Sequence, residues 1–211
     1  MCADIVNQLV NELKKERISA SMKVVGSMKR NMVTQNGNRP IDFDFNLLIE
    51  GTNRMDASSL KETVRRSFNV VLRKNGWDDC KDSTSVLTTE QMALNGGNRT
   101  LFSIDVCIVS FNQYGQLQRL IHDKTGIIQY DQWYWNTVPK YEGLKEKEGS
   151  LKPTHWNEVR EKYIEKKNMY LRRNDNDHPS FICYIEAVNE VYFKTHHELP
   201  SYNMFFHSLY Q

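Results

Sequence analysis

The stretch PIDFDFNLLIEG, residues 40–51, alternates large apolar side chains with polar ones, which is typical of a strand buried on one face. The apolar positions are Ile41, Phe43, Phe45 and Leu47. Asp42 and Asp44 share the opposite face, with Cα atoms about 6.5–7 Å apart. Aspartate is depleted from strands, and carboxylates held this close repel each other unless cations lie between them. The stretch therefore predicts a strand that carries a cation site.

A third aspartate has the same kind of position in LFSIDVCIV, residues 101–109. Asp105 lies on the strand face opposite the large apolar residues. If the two strands are neighbours in one sheet, the three carboxylates meet, and together they suffice for two divalent ions about 4 Å apart. Each aspartate alone is more often simply solvated. The shared phase of all three predicts that Asp42, Asp44 and Asp105 are catalytic residues that bind two Mg²⁺ or Mn²⁺ ions.

The segment VVGSMKR, residues 24–30, has the pattern of a strand that ends in a Gly-Ser turn before a short helix. Such a turn presents backbone N–H groups to an anion, and Gly26 lets a phosphate approach the main chain. Ser27 would hydrogen-bond the phosphate, and Lys29 or Arg30 would balance its charge. Gly-Ser is common, but its place sixteen residues before Asp42 favours a phosphate site.

This order of motifs resembles the polymerase-beta-like nucleotidyltransferase superfamily, in particular its bacterial second-messenger-synthase and oligoadenylate-synthetase-like branch. The resemblance rests on GSMK, IDFD and the later strand aspartate, and covers about residues 1–111. It implies that Asp42, Asp44 and Asp105 bind two Mg²⁺ ions and that Ser27 holds the β- and γ-phosphates of a nucleoside triphosphate. The chain departs from the family pattern after the first GS, where it has RNMVT, and after the aspartate pair, where it has FNLLIEG.

The remaining patterns predict an α+β fold in which a mixed β-sheet core is flanked by helices. Residues 3–16 and 56–76 have the apolar stripes of amphipathic helices. In the second helix we expect Ser59 and Glu62 to form a capping box and Gly76 to end the helix. STSVLTTEQMAL is predicted to pair with the Asp105 strand through an NGGN hairpin, and GQLQRLIHD to add an edge strand.

The character of the sequence changes near Pro153. Two helices are predicted, in PTHWNEVREKYIEKKNMYLRR and PSFICYIEAVNEVYFKTHH, after a lysine-rich linker, YEGLKEKEGSLKP. We therefore expect a nucleotidyltransferase catalytic core at residues 1–140 and a C-terminal helical subdomain at residues 150–211. The basic run of the first helix is either a solvated face or a triphosphate contact. For that contact Lys162 and Lys166 are the preferred candidates.

Composition excludes few function classes. A formal net charge of +2 favours no particular partner and weakly disfavours a long RNA. The four cysteines show no metal-ligand spacing, and Cys107 and Cys183 are expected to be buried thiols. No apolar run approaches the ~20 residues of a membrane span, so we expect no membrane association and a cytoplasmic protein.

Two further groups of residues, three histidines and an aromatic run, each allow a functional and a structural interpretation. His196, His197 and His207 could suggest a metal site, but a surface or helix-end role is favoured because adjacent histidines point in different directions on a helix. The aromatic run QWYWNTV, residues 132–138, could stack a nucleotide base. Packing between the sheet and the C-terminal helices is the favoured interpretation.

Together these patterns predict a metal-dependent nucleotidyltransferase that moves a nucleoside monophosphate from a nucleoside triphosphate to a hydroxyl acceptor with release of pyrophosphate. The acceptor stays open among a nucleotide, an RNA end, a protein hydroxyl and a small molecule. The alternative is a non-catalytic nucleotide-binding or interaction module on the same fold. A third interpretation, a structural domain with solvated aspartates, predicts no Mg²⁺-dependent binding.

Overall fold

The structure, a computed structural model, describes residues 1–33, 40–51, 55–93, 100–173 and 180–196. It divides into unit 1, Met1–Pro139, and unit 2, Lys140–Gln211. The helices of unit 1 are α1 (Cys2–Lys15), α2 (Gly26–Lys29) and α3 (Ala57–Lys74), with a 3₁₀ turn at Ile128–Tyr130. Its strands are β1 (Ser19–Val24), β2 (Ile41–Glu50), β3 (Lys81–Asp82), β4 (Leu87–Thr88), β5 (Met92–Ala93), β6 (Leu101–Phe111), β7 (Leu117–Asp123) and β8 (Gln132–Thr137). Unit 2 contains α4 (Leu144–Leu151), α5 (Trp156–Arg172) and α6 (Ser180–Thr195).

Within the described residues of unit 1, eight strands form one mixed sheet around β6. Strand β2 runs parallel to β6 along one edge, and β5, β4 and β7 pair antiparallel with β6 along the other. Strands β1, β3 and β8 add to β2, β4 and β7. A parallel pair needs a crossover, which here contains α3. The predicted α+β fold with a mixed sheet is confirmed.

The hydrophobic core of unit 1 lies on one face of this sheet, where α1 and α3 pack. The apolar side chains of the two central strands that face this core are Phe45, Leu47, Phe102, Ile104, Val106 and Ile108, all at most 2% exposed. The residues between them, including the three predicted aspartates, therefore occupy the opposite face. A smaller apolar cluster on that face is centred on Leu48, Cys107 and Val109. Packing of one face thus fixes the orientation of the polar residues on the other.

Helix α3 ends as predicted but begins differently. Asp56, rather than Ser59, is the N-cap residue, and its carboxylate accepts a hydrogen bond of 2.9 Å from the backbone N–H of Ser59. The predicted capping box of Ser59 and Glu62 is therefore wrong, because the helix starts three residues earlier than that box requires. At the other end Gly76 has φ +76°, and the N–H of Trp77 bonds the carbonyl of Leu72, which is the Schellman arrangement.

The antiparallel pairing of the 83–94 segment with β6 is present as two short strands, whereas the predicted NGGN turn, residues 95–98, lies outside the described residues. Strand β7 is not an edge strand, because the aromatic run, interpreted from the sequence as packing between the sheet and the C-terminal helices, forms β8 beside it. In β8, Trp133 and Trp135 pack against the core of unit 1, and the side chain of Tyr134 is 44% exposed.

Unit 2 is helical over its described residues. The lysine-rich segment predicted as a linker contains α4, so that expectation is wrong. The buried side chains of this unit include Leu151, Val159, Tyr163, Tyr184, Ala187 and Val188. His196 follows α6 directly and its ring stacks on Tyr192, at a centroid distance of 4.1 Å, whereas His197 and His207 lie outside the described residues.

Cys107 and Cys183 are buried free thiols, as predicted, and Cys80 is buried as well. Among the residues described, no helix combines the length and the apolar character that crossing a membrane requires.

Candidate active site

The register of β2 and β6 brings the three predicted aspartates together. Asp44 lies directly opposite Asp105, and Asp42 lies directly opposite Ser103. The strands are neighbours, as the sequence interpretation required, and parallel pairing places all three carboxylates on the face away from the core. The acidic trio, as we call Asp42, Asp44 and Asp105 from here on, is a feature of the sheet itself, so its spacing is set by backbone hydrogen bonds.

Asp105 is a partly buried member of the acidic trio. Its Oδ1 atom is buried and accepts no hydrogen bond from any described atom. The pKa of its carboxyl is raised to about 6, chiefly by burial and also by the charges of Asp42 and Asp44, although a hydrogen bond from the Thr88 hydroxyl lowers it. Burial and like charge both disfavour the ionised form. A group held in this way has a strong electrostatic preference for a nearby cation or a proton.

Gly26 is required by the position of Asp44. Its φ of +65° lies in the left-handed region, and a Cβ atom at this position would be 2.0 Å from Oδ2 of Asp44. The turn is also tied to β2, because the N–H of Val25 donates a 3.0 Å hydrogen bond to the carbonyl of Asp44. The predicted phosphate turn and the acidic trio are therefore in contact through Gly26 and Asp44.

The other residues of the turn lie on or next to α2. The Ser27 carbonyl accepts hydrogen bonds from the N–H groups of Arg30 and Met32, which close the single helical turn. The Arg30 guanidinium donates a 2.9 Å hydrogen bond to the Gly26 carbonyl, and the Lys29 side chain is exposed. Ser27, Lys29 and Arg30 thus belong to the turn whose Gly26 contacts Asp44, and their roles toward phosphate stay predictions.

Lys162 and Lys166 belong to unit 2, one turn apart on α5. Both pair with Glu190 of α6, at 3.1 Å and 2.9 Å, and Lys162 also pairs with Glu165 at 2.9 Å. The hydrogen bonds that the Lys162 ammonium donates to the carboxylates of Glu165 and Glu190 raise the pKa of Lys162. In this structure the two lysines connect α5 to α6, and the predicted contact with a triphosphate stays a prediction.

The donor chemistry of the acidic trio fits hard divalent cations, which bind carboxylate oxygens. The buried Asp105 oxygen without a hydrogen-bond partner agrees with such a site. In the described part of the chain, however, no three or more Asp, Glu, His or Cys side chains are close enough to hold one ion as they stand.

Two hydroxyl residues next to the acidic trio were not predicted to be part of the site. Ser103, 4% exposed, donates a 2.7 Å hydrogen bond to Oδ1 of Asp42, and Thr88 lies opposite Asp105 across the β4–β6 pair. The alternation of the Asp105 strand places Ser103 on the same face as Asp105. Its contact with Asp42 depends on the register between two strands 61 residues apart, which periodicity does not supply.

No family model and no curated protein matches the chain in sequence, whereas several solved structures match its fold. The STING-associated CdnE c-di-GMP synthase from Capnocytophaga granulosa superposes with a TM-score of 0.53 and 13% identity over 89% of this chain. CdnC from E. coli MS115-1, solved with ATP, gives a TM-score of 0.53 and 16% identity over 92% of this chain. The chain spans 56% and 63% of the lengths of these two proteins.

Identities this low relate folds rather than activities. The match nevertheless extends across most of the chain in both proteins and includes its mixed sheet. The chain therefore has the fold of these proteins, and its resemblance to the second-messenger-synthase branch of the polymerase-beta-like nucleotidyltransferases is confirmed at the level of the fold.

Proposed function

We propose that this protein is a metal-dependent nucleotidyltransferase, which transfers a nucleoside monophosphate from a nucleoside triphosphate to a hydroxyl group and releases pyrophosphate. The observation that carries the proposal is the pairing of Asp44 with Asp105 across β2 and β6, with Asp42 on the same face. Repulsion among three neighbouring carboxylates costs stability unless a ligand compensates it. A divalent cation with a bound polyphosphate is the ligand that fits both the acidic trio and the adjoining Gly-Ser turn.

Each group has a defined role in the proposed reaction. The acidic trio holds two Mg²⁺ or Mn²⁺ ions, which when bound supply positive charge to the reacting phosphates. Ser27 binds the β- and γ-phosphates, with Lys29 and Arg30 balancing their charge. The acceptor oxygen attacks the α-phosphorus, the bond to the β-phosphate oxygen breaks, and Asp105 takes the hydroxyl proton. Positioning and electrostatics then provide most of the catalysis.

The structural relatives support the donor more than the acceptor. One is named as a c-di-GMP synthase and the other was solved with ATP, so both involve purine nucleotides. A nucleoside triphosphate donor for this chain agrees with both. Lys162 or Lys166 is proposed to contribute to triphosphate binding. The acceptor is a hydroxyl group of a nucleotide, an RNA end, a protein or a small molecule.

The test is release of pyrophosphate from each of the four nucleoside triphosphates with Mg²⁺ or Mn²⁺, with products identified by mass spectrometry. We expect Asp44→Asn to lower the rate at least about 100-fold, because it removes one metal ligand. The matched control is Asp123→Asn, which neutralises an exposed aspartate at the end of β7. Wild-type activity in Asp44→Asn would refute the assignment. Triphosphate binding by the wild type without pyrophosphate from any acceptor would favour the non-catalytic module.

A further inference from the structure

The acidic trio is adjoined by two hydroxyl groups that come from different strands. Ser103 of β6 donates a hydrogen bond of 2.7 Å from Oγ to Oδ1 of Asp42. Thr88 of β4 is the residue directly opposite Asp105 in the antiparallel β4–β6 pair, which places its hydroxyl on the same face as that carboxylate. Two of the three carboxylates therefore have a hydroxyl residue beside them on a neighbouring strand.

These hydroxyls matter because a strand aspartate is otherwise poorly oriented. Asp42 is exposed near the start of β2, where its side chain has few neighbours to hold it. Ser103 itself is buried, so its hydroxyl is fixed by the sheet and fixes one oxygen of Asp42 in turn. A carboxylate with one oxygen occupied by a hydroxyl donor presents the other oxygen in a restricted range of directions. Metal-binding carboxylates are commonly oriented by such hydrogen bonds.

The position of Thr88 is fixed in a similar way by its neighbour. Strand β4 is only two residues long, yet Thr89 extends the pairing beyond it. The Thr89 N–H bonds the Ile104 carbonyl at 3.0 Å, and its hydroxyl accepts a 2.9 Å hydrogen bond from the Ile104 N–H. Because Thr89 is 4% exposed and bound on both sides, the adjacent Thr88 is held opposite Asp105.

We propose that Ser103 and Thr88 are positioning residues, which hold Asp42 and Asp105 in the orientation that binds divalent cations. The inference rests on the proposed function for its cation and adds the residues that set the affinity for it. Neither hydroxyl touches the substrate, and both act through a carboxylate. Loss of either one therefore weakens cation binding rather than removing the site.

The chain contains a matched control on the same strand. Ser110 of β6 is also buried, and its Oγ donates a 3.1 Å hydrogen bond to β2, but to the backbone carbonyl of Ile49. Ser103→Ala and Ser110→Ala each remove one buried hydroxyl that joins β6 to β2. Only the first removes a bond to a carboxylate of the acidic trio. A purely structural role of Ser103 predicts that the two variants behave alike.

The experiment measures Mn²⁺ affinity of the full chain by titration calorimetry and by the electron paramagnetic resonance signal of unbound Mn²⁺. We expect Ser103→Ala and Thr88→Val to weaken Mn²⁺ binding about 10- to 100-fold. Ser110→Ala should stay within about twofold of the wild type, since it alters no carboxylate. Ser103→Thr and Thr88→Ser keep a hydroxyl and should restore most of the affinity. Saturating Mn²⁺ should return the pyrophosphate rate of Ser103→Ala to within a few-fold of the wild type.

The outcomes separate this inference from the proposed function. Equal Mn²⁺ affinity in Ser103→Ala, Ser110→Ala and the wild type, with normal pyrophosphate release, would overturn the positioning roles alone. Mn²⁺ binding that depends on Ser103, without pyrophosphate from any triphosphate, would uphold them and overturn the transferase. Absence of Mn²⁺ binding by the wild type, with or without a triphosphate, would overturn both. Thermal unfolding of each variant shows whether a loss of affinity reflects unfolding.

Discussion

Unit 1 contains two clusters of charged residues that differ in how their charge is compensated. The first is the acidic trio, where no described lysine, arginine or histidine forms an ion pair with Asp42 or Asp105. The second, which we call the buried cluster, consists of Lys61, Asp82, His122 and Asp131. Both occur around the same sheet and both include carboxylates removed from solvent. The buried cluster contains its own counter-charges, whereas Asp42 and Asp105 have none among the residues that the structure describes.

The buried cluster is closed by short contacts among its members. Lys61, 3% exposed, lies 2.7 Å from Oδ1 of Asp82 and also bonds the carbonyls of Ser83 and Thr84. His122 lies between two carboxylates, with Nδ1 2.6 Å from Asp82 and Nε2 3.1 Å from Asp131. Burial alone would raise the pKa of Asp82, yet the hydrogen bonds from Lys61 and His122 outweigh it and the pKa is lowered.

The contrast separates a structural cluster from a ligand site on physical grounds. In the buried cluster each carboxylate is stabilised in its charged form by a neighbour that the fold provides. Burial, and secondly the charges of Asp42 and Asp44, raise the pKa of Asp105, so it moves in the opposite direction. A charge that the fold does not compensate needs a ligand, whereas a compensated one does not.

The largest expected effect on stability comes from opening the buried cluster. Asp82→Asn leaves the Lys61 ammonium buried without its carboxylate, and loss of one partner of a buried pair typically costs about 3–5 kcal/mol. We expect the free energy of unfolding, measured by urea titration, to fall by about that amount. Asp79→Asn, which breaks the exposed pair with Arg73, should change it little. Equal effects of the two substitutions would show that the buried cluster contributes no more than a surface pair.

The acidic trio was accessible to sequence analysis, because it depends on periodicity within single segments. Alternation of apolar side chains placed Asp42, Asp44 and Asp105 on one face, and the sheet then aligned Asp44 with Asp105. The buried cluster was not predicted, because its members come from four separate segments whose register is set by tertiary packing. Its histidine, His122, precedes Asp123 in the segment that was predicted to be an edge strand of the sheet. The segment that forms β8 beside it was interpreted only as an aromatic run.

Two other differences between prediction and structure, at helix α4 and at the start of helix α3, have similar causes. Helix α4 lies in a segment whose lysine and glutamate content indicated a linker, although both residues are good helix formers. The cap of α3 was misplaced because two polar residues, Asp56 and Ser59, both suit a helix start, and the side-chain hydrogen bond that decides between them is a three-dimensional fact. At both places the local sequence was thus compatible with more than one structure, and tertiary contacts determined which one formed.

A second prediction tests the uncompensated charge of the acidic trio directly. Without metal, Asp105 has a folded-state pKa of about 6, above its ordinary value of 3.8, so the folded state binds a proton more tightly than the unfolded state does. Stability is therefore lost as pH rises from about 4 to about 6. Asp105→Asn removes this titration and should stabilise the protein at pH 7.5 by at most about 3 kcal/mol, with little difference at pH 4.

The measurement is urea unfolding in the presence of a chelator at both pH values. Asp123→Asn serves again as control, since its side chain is exposed at the end of β7. Saturating Mg²⁺ should stabilise the wild type at pH 7.5 but not Asp105→Asn, because ligand binding to the folded state raises its stability. If Asp105→Asn is no more stable than the wild type at pH 7.5, Asp105 is compensated in some other way and the contrast between the clusters fails.

The smallest expected effect concerns the paired lysines of unit 2. They test whether a charge that is already compensated within the fold can also bind a ligand. Lys162 and Lys166 share Glu190 as a partner, so any role in triphosphate binding must compete with that carboxylate. Glu190→Gln removes the shared partner and should lower the KM for the triphosphate by about two- to fivefold, the range of an exposed ion pair, without changing kcat. Lys166→Ala should raise it by a similar factor. The control is Glu165→Gln, which removes one of the two carboxylate partners of Lys162, leaves Lys166 unchanged and should have the weaker effect. An unchanged KM in both Glu190→Gln and Lys166→Ala would mean that compensated charges of this kind serve only to join α5 to α6.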